Sequence, residues 1–260
     1  MSYKSNRPYF ATRAIHAGQR PDPTTGAIMT PIYATSTFVQ TSPGEHKGYE
    51  YSRTKNPTRD AYESCIADLE NGDHGYAFAS GMAAIGTILE MLDSGDHVIS
   101  MDDLYGGTFR LFENVRKRSS NLEFSFVDMT DADRIISAIK PNTKMIWVET
   151  PTNPMLRIVD LTAIANIAAE HGLITVCDNT FATPYNQRPL EHGIDIVNHS
   201  TTKYINGNGT ALGGIIIDAG TFDYGNGLFP ELNEPSPSYH GLNYNEVLGP
   251  AAFIARIRTE

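Results

Sequence analysis

From about residue 60 onward, short apolar runs alternate with segments in which apolar residues recur at helical spacing. The short runs predict strands and the periodic segments predict helices. Strands that alternate with helices indicate an α/β fold with a mostly parallel sheet that is covered on both faces. The predicted helices are 60–69, 81–92, 109–117, 131–139 and 161–171, and the predicted strands are 75–78, 97–100, 123–128, 145–149, 173–178, 194–197 and 213–218.

The two ends of the chain lack this alternation. Residues 1–60 are rich in Pro, Thr, Tyr and Gly and predict an extended arm, which is either disordered or wraps a partner subunit. The aromatic residues of the arm favour wrapping. Residues 220–245 predict a long irregular connection. A helix is predicted to begin near Gly249 and has no C-cap before Glu260, so we expect that a further domain is missing.

Composition excludes several classes of protein. A chain of 260 residues can bury a substantial core, and its formal net charge of −10 argues against sequence-independent binding to nucleic acid or anionic membranes. The basic run 116–118 is expected to end a solvated helix. Cys65 and Cys177 have neither disulfide nor zinc spacing and are expected to be packing residues. With no membrane-spanning run and no secretory signal, the expected compartment is the reducing cytoplasm.

Small hydroxyl residues surround a lysine in the segment HSTTKY, residues 199–204, which follows an apolar run. An earlier apolar run ends at Asp178. Taken singly, a lysine is usually a solvated charge and an aspartate after a strand is usually a turn residue. Together they suit pyridoxal phosphate, because Lys203 can form a Schiff base with the aldehyde and Asp178 can pair with the protonated pyridine nitrogen. The neighbouring hydroxyls can donate to the phosphate.

Four further segments carry candidate chemistry. In segment 79–84, a glycine and free N–H groups at a helix start could hold a phosphate, although Ser-Gly before a helix is often only a cap. In segment 51–59, Arg53 could clamp a phosphate, unless this is a plain surface loop. Segments 105–108 and 149–154 each follow a strand, and Tyr105 could stack on an aromatic cofactor or simply pack in a turn. Such positions gather at the carboxyl edge of a parallel sheet.

These segments together resemble the Cys/Met-metabolism family of pyridoxal-phosphate enzymes, which includes cystathionine γ-synthase, cystathionine γ-lyase, methionine γ-lyase and O-acetylhomoserine sulfhydrylase. The resemblance covers nearly the whole chain and rests on YSRTKNPTR, FASGMAA, YGGTFR, ETPTNP, DNTFATP and HSTTKY, in the family's order. It implies an aspartate-aminotransferase-like fold of type I. Residues 61–248 would form the large cofactor-binding domain, residues 1–60 the arm that contacts a neighbouring subunit, and residues 249–260 the start of the helix that leads to an absent C-terminal domain.

The resemblance also implies roles for residues at matching positions. Lys203 would form the Schiff base and then move protons between substrate carbons. Asp178 would pair with the pyridine nitrogen, Tyr105 would stack on the ring, and Asn153 would lie near the ring hydroxyl. Thr180 is a further cofactor-binding candidate. The residues expected to hold the phosphate are Gly81, Met82, Ser200 and Thr202.

Two residues of the arm are expected to act in a neighbouring subunit. Tyr51 and Arg53 would reach the cofactor phosphate there, which implies an obligate homodimer within a homotetramer. Tyr51 and Tyr105 would also flank the amino-acid substrate, so the expected catalytic residues are Lys203, Tyr105 and Tyr51.

Within the family, the N-terminal two-thirds resembles cystathionine γ-synthase or γ-lyase. The signs are residues 46–50 before Tyr51 and Gly107 where methionine γ-lyases carry a reactive cysteine. However, Asn208 replaces a usual histidine, and residues 209–260 resemble O-acetylhomoserine sulfhydrylase. The expected reaction is γ-elimination or γ-replacement on a homoserine-derived or cystathionine-type amino acid, with the sulfhydrylase as an alternative.

Two readings from other classes remain. One is an inactive relative that retains only the cofactor or the oligomer interface. The other is a nicotinamide-dinucleotide domain, suggested by glycines in 207–213, which is disfavoured because these glycines precede a strand instead of linking a strand to a helix.

Overall fold

A computed structural model describes residues 8–259. Residues 1–7 of the predicted arm and Glu260 lie outside the described residues. The rest of the arm is less extended than expected, because it contains helix α1 (Phe10–His16) and a hairpin of β1 (Gln40–Ser42) and β2 (Glu45–His46). The arm is also attached to the following helix: the Tyr33 amide donates to Thr58 Oγ1 at 2.9 Å.

The remaining described elements alternate much as predicted. The helices are α2 (Pro57–Glu70), α3 (Gly81–Ile88), α4 (Gly106–Phe109), α5 (Lys117–Ser119), α6 (Ala132–Ser137), α7 (Leu161–His171), α8 (Thr183–Asn186), α9 (Pro230–Asn233), α10 (Tyr244–Leu248) and α11 (Ala252–Thr259). The strands are β3 (His74–Phe78), β4 (His97–Met101), β5 (Glu123–Val127), β6 (Thr143–Glu149), β7 (Ile174–Asp178), β8 (Ile196–His199) and β9 (Gly214–Asp218). A π-helical segment, Arg110–Arg116, joins α4 to α5, and 3₁₀ turns lie at Leu89–Met91, Pro189–His192, Pro237–Tyr239 and Gly249–Ala251.

Strands β3 to β9 form one seven-stranded sheet in the order β3-β9-β8-β7-β6-β4-β5. Strand β9 runs antiparallel to both of its neighbours, and the pairs from β8 to β5 are parallel. The predicted α/β fold with a mostly parallel sheet is therefore confirmed. Because the parallel strands all end at one edge, the segments that follow β6, β7 and β8 lie next to one another.

Hydrophobic side chains are buried on both faces of the sheet, as expected for strands covered by helices. The larger cluster includes Trp147, which is fully buried and packs edge-on against the ring of Phe112 at 5.3 Å. The smaller cluster joins Ile66 and Leu69 of α2 to Val197 of β8 on the other face. Cys177 is buried in β7 and Cys65 is half-buried in α2; both are free thiols.

The prediction for residues 220–245 was wrong in part. The segment is a long connection, but it includes α9 and the start of α10, and it contributes to the core. Tyr224, Phe229 and Tyr244 are at most 1% exposed, and the Tyr224 hydroxyl donates to Asp218 Oδ2 at 2.8 Å. These aromatic side chains bury large apolar areas, which outweighs the turn-forming preference of the Gly, Asn and Pro residues between them. Within residues 8–259, no helix has the length and apolar character needed to cross a membrane.

Candidate active site

A cavity of about 180 Å³ opens at the carboxyl edge of the sheet. It lies between the ends of β6, β7 and β8 and the start of α3. The predicted site residues that line it are Lys203, Tyr105, Asp178, Thr180, Gly81, Met82, Ser200, Thr202 and Asn153. Ser80, Ile85, Glu149, Pro151, Phe181 and Leu212 complete the lining and were not predicted as site residues.

The N-terminus of α3 forms one wall of the cavity. The Ser80 side chain caps the helix by accepting from the Ala83 amide at 3.1 Å. The amides of Gly81 and Met82, in the first turn, have no partner within the helix. A Cβ at Gly81 would lie 2.7 Å from the Cβ of Ser200, so only glycine allows the segment after β8 to approach α3 this closely. The result is a narrow recess with free N–H groups, suited to an anion.

Hydroxyl groups from the segment after β8 face the same recess. The Thr202 hydroxyl is already engaged with Gly213, to whose carbonyl oxygen it donates at 3.2 Å and from whose amide it accepts at 3.1 Å. Thr202 would therefore have to exchange one bond to donate to a phosphate. The Ser200 amide donates to Thr180 Oγ1 at 2.9 Å, which links the ends of β7 and β8.

Asp178 is the last residue of β7 and is 6% exposed. One carboxylate oxygen accepts from the Thr180 amide at 3.0 Å and the other from Asn198 Nδ2 at 3.2 Å. Burial raises the pKa of this carboxyl, and the hydrogen bonds from Thr180 partly oppose that shift. The carboxylate is thus held in a fixed place on the floor of the cavity, where a positive charge would stabilise it.

Glu149 is the functional candidate that the sequence analysis missed. It is paired in register with Asp178 on the neighbouring strand. Its two oxygens accept from the amides of Tyr105 at 2.9 Å and Asn153 at 2.7 Å. Burial, followed by repulsion from Asp178, raises the pKa of Glu149 to about 8. One carboxyl group therefore holds the two loops that carry Tyr105 and Asn153.

Lys203 lies in the turn after β8, and among the described residues it is the one lysine that lines the cavity. The turn is closed by hydrogen bonds from the Lys203 amide to Ser200 O at 3.2 Å and from the Gly207 amide to Lys203 O at 2.9 Å. Tyr105, which is 42% exposed, precedes α4 on another wall of the cavity. The amine and the phenol are thus on segments that follow two different strands.

Tyr51 and Arg53 do not line this cavity. Both side chains are exposed, and the Arg53 guanidinium lies 5.4 Å from the centre of the Tyr51 ring. The structure of one chain therefore brings together nine of the predicted site residues and leaves these two apart. Their expected action in a neighbouring subunit stays a prediction.

The donor set of the cavity fits pyridoxal phosphate. The amides of Gly81 and Met82 and the Ser200 hydroxyl could hold the phosphate at the narrow end. The buried carboxylates of Asp178 and Glu149 lie side by side, and a protonated pyridine nitrogen would supply the positive charge that this pair favours. Lys203 supplies the amine that the aldehyde requires.

Comparisons with known proteins agree with this fit. The family described as "Cys/Met metabolism PLP-dependent enzyme" matches residues 11–232. A protein of Coxiella burnetii named cystathionine beta-lyase is 63% identical over 213 residues, which cover 82% of this chain and 55% of the relative. A protein of Herpetosiphon aurantiacus named "Probable cystathionine gamma-synthase" is 56% identical over 208 residues, which cover 80% of this chain and 65% of the relative.

A solved structure is also similar. The cystathionine gamma-lyase from Lactobacillus plantarum, crystallised with L-serine, is 50% identical with a TM-score of 0.79, and the match covers 81% of this chain and 55% of that one. The chain thus spans roughly half to two-thirds of the length of the relatives it matches. The matched range and these identities place the chain in the family of Cys/Met metabolism enzymes that depend on pyridoxal 5′-phosphate.

Proposed function

We propose that this chain carries the cofactor site of a transsulfuration enzyme, which removes or replaces the γ-substituent of a homoserine-derived or cystathionine-type amino acid. The observation that carries the proposal is the meeting of Lys203, Asp178 and the N-terminus of α3 in one cavity. The names of the similar proteins support the substrate class.

Different residues of the cavity would contact different parts of the cofactor. When bound, pyridoxal phosphate supplies an aldehyde that captures amines and a protonated ring that withdraws electrons from the substrate α-carbon. Asp178 would hold the proton on the ring nitrogen, because its buried carboxylate favours a neighbouring positive charge. Tyr105 and Asn153 also line the cavity, where Tyr105 would pack on the ring and Asn153 would lie near the ring hydroxyl.

Lys203 moves the protons of the reaction. With the cofactor bound and the substrate amine in the place of Lys203 Nζ, that nitrogen would take up the α-proton, pass it on to the cofactor, and so be free to take a proton from the β-carbon. Loss of the second proton expels the γ-substituent. The substituent would leave with its bonding electron pair. A thiol would then add at the γ-carbon, or water would hydrolyse the unsaturated product to an α-keto acid and ammonia.

The proposed active unit is a homodimer or homotetramer in which subunits share sites. Tyr51 and Arg53 are exposed and lie outside the cavity of their own chain. Several large apolar side chains of the arm are also exposed, among them Ile32 at 85% and Val39 at 91%. If a second copy packs against this apolar surface, Tyr51 and Arg53 of the first copy would lie at the cavity of the second copy.

A second candidate reaction is β-elimination of cystathionine. It is favoured by the 63% identity to the protein named cystathionine beta-lyase. The two reactions break different bonds: γ-elimination of cystathionine gives cysteine, 2-oxobutanoate and ammonia, whereas β-elimination gives homocysteine, pyruvate and ammonia. The keto acid that forms therefore identifies the bond.

The test is a substrate screen on the full chain with added pyridoxal phosphate. Cystathionine is offered alone, and an acylated homoserine is offered with cysteine or with sulfide, while the keto acids and new thioethers are measured. The proposal predicts 2-oxobutanoate or cystathionine, and a preference for sulfide would favour the sulfhydrylase alternative. The Lys203→Ala chain is the control. Bound cofactor without any product would support the inactive relative and contradict the proposed enzyme.

A further inference from the structure

Two arginines hold the backbone of the loop that carries Tyr51 and Arg53. Arg59 donates from Nη1 to the carbonyl oxygen of Ser52 at 2.9 Å and from Nη2 to that of Arg53 at 3.2 Å. Arg258 donates from Nη1 to the next carbonyl oxygen, that of Thr54, at 3.3 Å. Three consecutive carbonyl groups of an exposed loop are thus fixed by guanidinium groups, one on α2 and the other on α11.

The two arginines share a buried anchor. Glu63, whose side chain is 4% exposed, pairs with Arg59 Nε at 3.2 Å through one oxygen and with Arg258 Nη2 at 2.9 Å through the other. Both guanidinium groups also lie over the Tyr76 ring, at 5.5 and 4.7 Å from its centre. A charge-assisted hydrogen bond from Arg258 to Glu63, the ion pair of Arg59 with the same carboxylate, and the contacts of both cations with the Tyr76 ring orient the two guanidinium groups. Because Glu63 is buried and pairs with both cations, these side chains are held more tightly than those of an exposed ion pair.

Arg258 joins this cluster from a distant part of the sequence. It lies on the last described helix, beyond the residues 11–232 that the family matches. Without it, the Thr54 carbonyl and one oxygen of Glu63 would lose their cationic partner. The loop would then keep its bonds from Arg59 and from the Ser52 amide to the Ser36 carbonyl oxygen, but it would lose its attachment to α11.

We propose that Arg59, Glu63 and Arg258 form a clamp that positions the loop 51–55, so that Tyr51 and Arg53 are presented to the cofactor phosphate of a neighbouring subunit. The inference rests on the proposed function for the use of Tyr51 and Arg53. Arg258 is a positioning residue, since it contacts the loop backbone and does not line the cavity. A rigid loop binds a phosphate more tightly than a mobile one, because less freedom is lost on binding.

The test uses the full chain and the variants Arg258→Gln and Glu63→Gln. Amide hydrogen exchange of residues 51–55 reports the clamp, and the dissociation constant for pyridoxal phosphate reports its consequence. We expect exchange in this loop to rise about tenfold in each variant, as for the loss of one charge-assisted hydrogen bond. Arg134→Gln is the matched control, because Arg134 lies on α6 and forms an exposed ion pair with Asp131, which precedes this helix. It should change neither quantity.

A second pair of variants separates positioning from general stability. Tyr51→Phe combined with Arg53→Ala removes the proposed phosphate contacts and should raise the dissociation constant for the cofactor. Adding Arg258→Gln to that chain should raise it no further, because the clamp acts through those two side chains. Arg258→Lys keeps a positive charge beside Glu63, so it serves as the conservative variant if Arg258→Gln does not fold. It should fall between the wild type and Arg258→Gln in both measurements.

Three outcomes would overturn the inference. Unchanged exchange of residues 51–55 in the Arg258 and Glu63 variants would show that there is no clamp. Faster exchange with unchanged cofactor affinity, while the Tyr51/Arg53 chain binds weakly, would show that the clamp does not position these residues. If the Tyr51/Arg53 chain itself binds the cofactor normally, the proposed role of the loop fails. This outcome depends on the Tyr51/Arg53 variant alone, so it is distinct from a failure of the clamp. The positioning role of Arg258 would then fail too, because it acts through these two residues.

Discussion

Glu149 and Asp178 lie side by side at the carboxyl ends of β6 and β7, where they are paired in register. Both carboxyl groups are at most 6% exposed, and the pKa of each is raised. Two buried carboxylates beside one cavity are costly unless one of them takes up a proton or a cation joins them. Their pairing explains why the floor of this cavity suits a protonated pyridine nitrogen better than a neutral ligand.

Glu149→Gln tests the part of Glu149 in holding the two loops. A glutamine has one acceptor oxygen, so it can retain the bond from the Tyr105 amide or from the Asn153 amide, but not both. We expect cofactor affinity to fall about tenfold. The visible circular dichroism of the bound cofactor should also weaken, because the loop would no longer hold Tyr105 in its proposed place over the ring.

Glu123→Gln is the control for this change. Glu123 lies on β5 and forms an exposed ion pair with Lys140. In the sheet, β6 and β4 lie between β7 and β5. Its replacement should leave affinity and circular dichroism unchanged. If Glu149→Gln also leaves both at the wild-type values, Glu149 does not position the site.

Two glycines of the same helix should respond oppositely to alanine. A Cβ at Gly81 would press against Ser200 at 2.7 Å, whereas a Cβ at Gly86 would meet its nearest neighbour, Arg116, at 3.9 Å. Gly86→Ala should therefore stabilise the fold by about 0.5–1 kcal/mol, as glycine is a poor helix former. Gly81→Ala should narrow the recess and weaken cofactor binding. Urea unfolding and a cofactor titration of both variants test this, and equal cofactor affinity in the two would contradict it.

The buried carboxyl group of Asp218 should make the free energy of unfolding vary with pH. Burial raises the pKa of this carboxyl from 3.8 to about 7, so between these values the folded chain binds more protons than the unfolded chain. The free energy of unfolding should then fall as the pH rises toward 7, by up to about 1.4 kcal/mol per pH unit from this group.

Asp218→Asn removes that titration. Urea unfolding at pH 5, 6 and 7 should show a shallower slope for this variant, whatever its absolute stability. Asp133→Asn, at an exposed position of α6, is the control and should keep the wild-type slope. An unchanged slope in Asp218→Asn would show that Asp218 is ionised in the folded chain throughout this range.

Local signals predicted much of the fold. Helix α7 has the predicted bounds because its ends are marked by residues with a physical role: Asp160 caps the Ala163 amide, and Gly172 adopts a φ of 66°. The structure of residues 220–245 was harder to predict. Their Gly, Asn and Pro residues indicate turns, and nothing in this pattern shows that the aromatic residues between them enter the core. The spacing of Tyr224, Phe229 and Tyr244 follows no helical or strand period, so burial there depends on tertiary contacts.

The site was predictable where a residue type carries the chemistry. Lys203 and Asp178 were predicted because amines and carboxylates at strand ends suit the cofactor, and both line the one cavity. Glu149 opens the segment ETPTNP but was not predicted as a site residue, since its contacts are with backbone amides of Tyr105 and Asn153, which residue types do not reveal. Arg258 reaches the Thr54 carbonyl across 204 positions of sequence, which local patterns do not show.

Borohydride reduction with added pyridoxal phosphate, followed by peptide mapping, tests the central claim most directly. Within residues 8–259 the cavity is lined by one lysine, so the label has one expected place. The account predicts a phosphopyridoxyl group on the peptide that contains Lys203, and none there in Lys203→Ala. A folded chain whose label lies on other lysines, or that carries no label, would contradict the assignment of Lys203 and of this cavity as the cofactor site.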